Sequence, residues 1–143
     1  MSSLELDNLV KIGSLKREPA SPREQKGLRE SALARLEDAN RADLSYDSRF
    51  DLAYNAAHGL ALYALRRLGY RSDNRYLVFQ TLPHTAGVPS ETWRVLAKAH
   101  ERRNLAEYEG HLEHDEQLLT ELIAASTRLR AIVEGSPPSG ESA

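Results

Sequence analysis

The chain has 143 residues, enough for one domain with a single core. It has no cysteine, which excludes disulfides, thiolate nucleophiles and cysteine-ligated zinc. Its formal net charge of −2 excludes bulk coating of duplex nucleic acid, which needs a large basic surplus, so any contact with RNA or DNA has to be local.

No apolar run approaches the roughly 18 residues of a membrane span. The first residues, M-S-S-L-E-L-D, have neither the basic nor the apolar region of a secretory signal, so the expected location is the cytoplasm. Leu4, Leu6, Leu9, Val10, Ile12 and Leu15 predict a short amphipathic accessory helix within 1–15, ended near Gly13 or by the Lys16–Pro19 linker. Ser21, Pro22 and Glu24 then carry the signature of a capping box with proline at the first helical position. Leu28, Ala32, Leu36 and Ala39 line one face of that second helix, and 40–45 reads as its break.

A third helix follows on Phe50, Ala53, Tyr54, Ala57, Leu60, Ala61, Ala64, Leu65 and Leu68, with Ser45 or Asp47 as its start and Gly69 as its cap. Its alanine face permits close helix approach, which makes it the expected central helix or a dimer seam. The stretch 74–82 predicts a short helix stopped by Pro83, and 84–89 a loop. Ser90 is the expected cap of a helix burying Trp93, Leu96 and Ala99 or His100, a pattern that loosens over 103–110. A last helix is expected from Leu112 through Leu119, Leu122, Ala125 or Ser126, Leu129 and Ile132 or Val133. The residues 134–143 read as a disordered tail. The fold class is all-α: a bundle of four long antiparallel helices spanning 21–133, with short accessory helices.

The chemistry concentrates in 99–112, A-H-E-R-R-N-L-A-E-Y-E-G-H-L. Arg102 and Arg103 beside Asn104 are suited to a phosphate, because guanidinium groups offer fixed, bidentate donors. The alternative is that one arginine pairs with Glu101, Glu107 or Glu109 while the other is solvated. Tyr108 can orient a phosphate or water, but an ordinary phenol is a poor base. His100, His111 and His114 are the better proton-transfer groups. His111 and His114, near Glu113 and Asp115, supply only two imidazoles, and no metal site is assigned. His58 reads as a core-edge or interface histidine. No glycine-rich phosphate loop or nucleophile elbow is present, so no cofactor is expected.

Two segments carry a family resemblance: R-F-D-L-A-Y-N-A-A-H-G-L-A-L-Y-A-L-R-R-L-G-Y (49–70) and H-E-R-R-N-L-A-E-Y-E-G (100–110). They resemble the core helix and motif helix of HEPN-domain proteins, helical bundles of prokaryotic toxin–antitoxin and defence systems. The resemblance extends over about 22–133 in helix order. It implies a homodimer, contact with RNA, and a cognate antitoxin or nucleotidyltransferase as partner. It also implies metal-independent ribonuclease chemistry by an arginine, a following polar residue and a histidine four to six intervening residues later. Arg103 and Asn104 match the first two positions; Tyr108 stands where four intervening residues lead, and His111 comes one position beyond the six-residue limit. The implied catalytic set is therefore Arg103 and Asn104 with Tyr108 or His111, and the phosphate ligands are Arg102 and Arg103. The other expectation is a non-catalytic helical interaction module.

Overall fold

The structure, a computed structural model, describes residues 4–135. Its elements run α1 (Leu4–Lys11), β1 (Lys16–Arg17), α2 (Pro22–Ala39), α3 (Tyr46–Arg66), β2 (Tyr70–Arg71), α4 (Arg75–Gln80), α5 (Leu82–Thr85), α6 (Ser90–Glu109) and α7 (Glu116–Gly135). The described residues are helical apart from loops and a two-residue antiparallel ladder, in which Lys16 faces Arg71 and Arg17 faces Tyr70. Among the described residues no helix is long and apolar enough to cross a membrane.

The third helix is central, as its periodicity predicts. α3 packs against α2, α7, α4, α5 and α6. Ala53, Ala57, Ala61 and Ala64 are fully buried within one chain, so the alanine face is used internally rather than left as a seam for a second copy. Close approach is visible at two points. A Cβ on Gly59 of α3 would stand 3.2 Å from the Ala32 Cβ of α2. On the other flank, the buried Ser126 hydroxyl of α7 donates to Leu122 O at 2.7 Å and lies 3.3 Å from Ala53 O of α3.

The accessory helix α1 is held by Leu6, which is buried, and by Asp7, which accepts from Tyr70 Oη at 2.7 Å and pairs with Arg17. Leu15 is buried too, but beyond the helix end at Lys11. The ladder it leads into is organised from beneath by Arg66, whose side chain is 1 % exposed. Its guanidinium grips the Glu24 carboxylate with two contacts, 2.7 and 3.1 Å, and donates to the carbonyls of Glu18 (2.6 Å), Tyr70 (3.2 Å) and Pro19 (3.3 Å). A buried charge is tolerable because each of these oxygens answers it.

Several boundaries differ from the sequence expectations. Helix α3 closes at Arg67, and the left-handed turn comes two residues later at Gly69, φ +87°. Pro83 does not end helical structure: it lies in the first turn of α5, where its missing N–H is no loss. His84 is accordingly helical rather than in a loop. Pro89, not Ser90, occupies the position before α6. Within α6 it is Thr92, Leu96 and Ala99 that are buried, while Trp93 and His100 are half-buried. Helix α6 does not loosen over 103–110 but continues to Glu109. Helix α7 begins at Glu116 rather than Leu112, because the Asp115 carboxylate accepts from Leu118 N at 3.0 Å and sets the start there. Both Ala125 and Ser126 are buried in α7, as is Val133. The expected tail overlaps this helix, since Glu134 and Gly135 form its last turn and Glu134 pairs with Arg29 and Arg130. The rest of that tail, 136–143, lies outside the described residues.

Candidate functional site

Helix α6 carries most of the chemistry-bearing residues, and helical geometry decides which of them act together. Neighbouring residues point about 100° apart around a helix axis. Arg102 and Arg103 consequently take different partners. Arg102 turns to the entry of α7, within 3.8 Å of Glu113 and 3.7 Å of Asp115. Arg103 turns to α3, where it pairs with Asp51 at 3.0 Å and, one turn along its own helix, with Glu107 at 3.1 Å. The two arginines therefore do not converge on one point. The guanidinium carbon of Arg103 also stands 5.1 Å from the centre of the Tyr54 ring, a cation–π contact, and its Nε is buried without a hydrogen-bond partner among the described residues.

Tyr54 is the centre of a second array that no sequence motif announces. Its hydroxyl is 2.9 Å from His100 Nδ1, and His100 Nε2 is 3.0 Å from the Asn104 side-chain nitrogen. With the Asn104 carboxamide placed so, its N–H donates to Nε2. The imidazole proton is then on Nδ1, donating to Tyr54. Burial, reinforced by the nearby charge of Arg75, holds His100 below its ordinary pKa, and burial raises that of Tyr54. His100 is thus a neutral imidazole near neutral pH. Beside it, His58 is pushed down to about 4 by burial, with Arg75 and His100 adding to the effect. Arg75, at the start of α4, donates to Asn55 Oδ1 at 3.0 Å and lies 5.7 Å from the same Tyr54 ring centre.

The remaining sequence candidates divide. Gly110 ends α6 in the left-handed conformation, φ +81°, and reverses the chain. That reversal brings His111 into the lining of an open cleft of about 520 Å³ together with Arg103, Asp47, Asp51 and Glu107. Tyr108 does not enter it. It is 95 % exposed and stands with Asn104 and Glu107 over the adjacent face. His114 stacks on Tyr46, with 4.3 Å between ring centres, and its Nε2 is 3.0 Å from Glu116. Among the described residues no three histidine or carboxylate side chains gather as a metal site would require.

The sequence reading singled out Arg103, Asn104 and His111 but not the groups that surround them. Tyr54, Asp51 and Arg75 come from α3 and α4, and His100, expected as a proton-transfer group, is held instead between Tyr54 and Asn104. The one signal that could have found the array is the i, i+4 spacing of His100 and Asn104 on a single helix face. No protein-family model, curated protein or solved structure matches this chain.

Proposed function

We propose that the protein is a HEPN-like bundle of four long antiparallel helices, α2, α3, α6 and α7. It binds RNA through its backbone phosphates and cleaves it without a metal ion, as a homodimer in a toxin–antitoxin or defence setting. The family part of this reading rests on the two resembling segments, 49–70 and 100–110. The observation that carries the chemistry is that Arg103 and His111 line one open cleft, brought together by the left-handed turn at Gly110. In that cleft His111 takes the proton of a ribose 2′-hydroxyl as its oxygen attacks the neighbouring phosphorus. The bond to the 5′-oxygen then breaks, leaving a 2′,3′-cyclic phosphate, and that oxygen takes its proton from water. Arg103 stabilises the charge that grows on the phosphate, while Asn104, outside the cleft, bonds His100 on the adjoining face.

A phosphate reaching Arg103 has to displace a carboxylate. Asp51 and Glu107 are 58 % and 70 % exposed, and ion pairs of that kind are worth only about 0–1 kcal/mol. The exchange is therefore inexpensive. The test is RNA cleavage in EDTA by the wild type and by Arg103→Ala, His111→Ala and Tyr108→Phe, each checked for native helicity. Loss of cleavage with Arg103 and His111, and rates within about twofold for Tyr108→Phe, are expected. Undiminished cleavage by Arg103→Ala would overturn the assignment.

A second reading is favoured by the outer face of α6, where Leu105 is 50 % and Tyr108 95 % exposed one turn apart. On that reading the protein is a non-catalytic module that docks a partner such as an antitoxin or nucleotidyltransferase. Absence of cleavage by the wild type on varied RNAs would select it.

A further inference from the structure

Arg75 is an exposed cation beside α3 and α6 that no carboxylate pairs with among the described residues. In this it differs from Arg102 and Arg103. It is nevertheless held in place. Asn55 Oδ1 accepts from it at 3.0 Å, and its guanidinium lies 5.7 Å from the Tyr54 ring centre. A fixed guanidinium with spare donors is the ordinary ligand of a phosphate, because its planar fork fits two phosphate oxygens at once. The groups next to it do not compete. His58 and His100 both feel the Arg75 charge and are neutral imidazoles, and Asn104 adds an exposed carboxamide to the same face.

The neighbouring surface is aromatic. Tyr76, the next residue of α4, has its ring 5.4 Å from His100 and 6.3 Å, edge to face, from Trp93 of α6. All three rings are partly exposed. A phosphate ligand beside partly exposed aromatic rings is the combination that binds single-stranded nucleic acid, the cation holding the backbone and the rings stacking a base. Glu101 and Glu107 are near enough to act on His100, which places the phosphate on the Arg75 side of the face.

We propose that this face is a nucleotide subsite in which Arg75 takes a backbone phosphate and Tyr76, backed by Trp93, stacks the adjoining base. The inference rests on the RNA-binding reading above and deepens it, but it uses residues outside the Arg103–His111 cleft. Trp93 is the protein's single tryptophan, so it reports on the site directly.

Binding is measured with a labelled single-stranded RNA whose 2′-hydroxyls are methylated, so that it can be held but not cleaved. Inorganic phosphate and a 5′-mononucleotide serve as competitors. The wild type is expected to bind, with a change in Trp93 emission. Arg75→Gln should weaken binding at least about tenfold and lower the salt dependence by about one phosphate contact. Arg75→Lys, which keeps the charge but not the fork, should fall between. Tyr76→Ala should weaken binding at least about fivefold, and the mononucleotide should compete better than phosphate. Arg128→Gln on α7 is the control and should bind as the wild type does. Wild-type affinity in Arg75→Gln overturns the subsite, as does no binding by the wild type, and equal competition by phosphate and mononucleotide overturns the stacking half. If Arg75→Gln binds normally while ordinary RNA is cleaved in an Arg103-dependent way, the nuclease reading stands and the subsite falls. Arg75-dependent binding without any cleavage supports the subsite and removes the nuclease reading.

Discussion

Replacing Arg66 with methionine removes the guanidinium while keeping an unbranched apolar stem in its place. The loss is then specific: two contacts to the Glu24 carboxylate and three to the carbonyls of Glu18, Pro19 and Tyr70. Deleting one partner of a buried ion pair costs about 3–5 kcal/mol, chiefly because the other charge is stranded. Glu24 is 32 % exposed and can regain water, which argues for the lower end, about 3 kcal/mol. Against a typical stability of about 5–15 kcal/mol this is a large fraction, equivalent to a fall in melting temperature on the order of 10 °C. Urea unfolding followed by far-ultraviolet circular dichroism measures it. Arg66→Lys should lose roughly half as much, since one ammonium cannot serve a carboxylate and three carbonyls together. The pH dependence gives an independent check. The hydrogen bonds from Arg66 hold the Glu24 carboxyl below its ordinary pKa, so the stabilisation is present above the ordinary carboxylate range and is lost as pH falls from there through the lowered value. The gap between wild type and Arg66→Met should therefore narrow in acid. A cost below about 1 kcal/mol at neutral pH, or a gap that does not narrow, would refute the clamp.

His58 acts on the same acid flank of the pH profile, beginning at higher pH. Its imidazole is pushed from 6.5 down to about 4, so the unfolded chain takes up the proton first and stability declines as pH falls between those values. The slope cannot exceed about 1.4 kcal/mol per pH unit from this group, and His58→Gln should flatten it; its ring resonances should not titrate near pH 6. Gly59→Leu should cost about 2 kcal/mol or more by forcing α2 from α3, whereas Gly27→Ala, on the open side of α2, should gain about 0.5–1 kcal/mol. Paired thermal melts decide both. Gly110→Ala meets nothing in space, so keeping the turn costs about 1–2 kcal/mol for a left-handed alanine, and RNA cleavage should fall to the extent that the turn relaxes and His111 leaves the cleft.

What the sequence made legible was local. The capping serine of α2 is where the pattern puts it, with Ser21 Oγ accepting from Glu24 N at 3.1 Å. The other half of the expected capping box is diverted, because the Glu24 carboxylate is taken by Arg66, 42 residues away. The alanines of α3 were legible because burial on one helix face writes a 3.6-residue period. The stretch 103–110 looked broken for the converse reason. A helix turn facing solvent has no apolar period to display, yet glutamate, arginine and alanine sustain it by propensity alone until Gly110. The Tyr54–His100 contact joins residues 46 apart on different helices, and no spacing rule reaches that far.

The same reasoning explains why adjacent charges in the sequence need not share one site. Arg102 and Arg103 are adjacent in sequence but about 100° apart on α6, and the surface each one meets already carries acid: Glu113 and Asp115 for one, Asp51 and Glu107 for the other. Arg75 belongs to no cluster. The side chain next to it in space is a carboxamide, and the rings around it are neutral or aromatic, so its charge is not compensated on that face. The quantity that decides anion affinity is the charge left after each face is balanced. By that measure the acidic cleft around Arg103 is the part of this protein where a phosphate must compete, and the Arg75 face is the part where it need not.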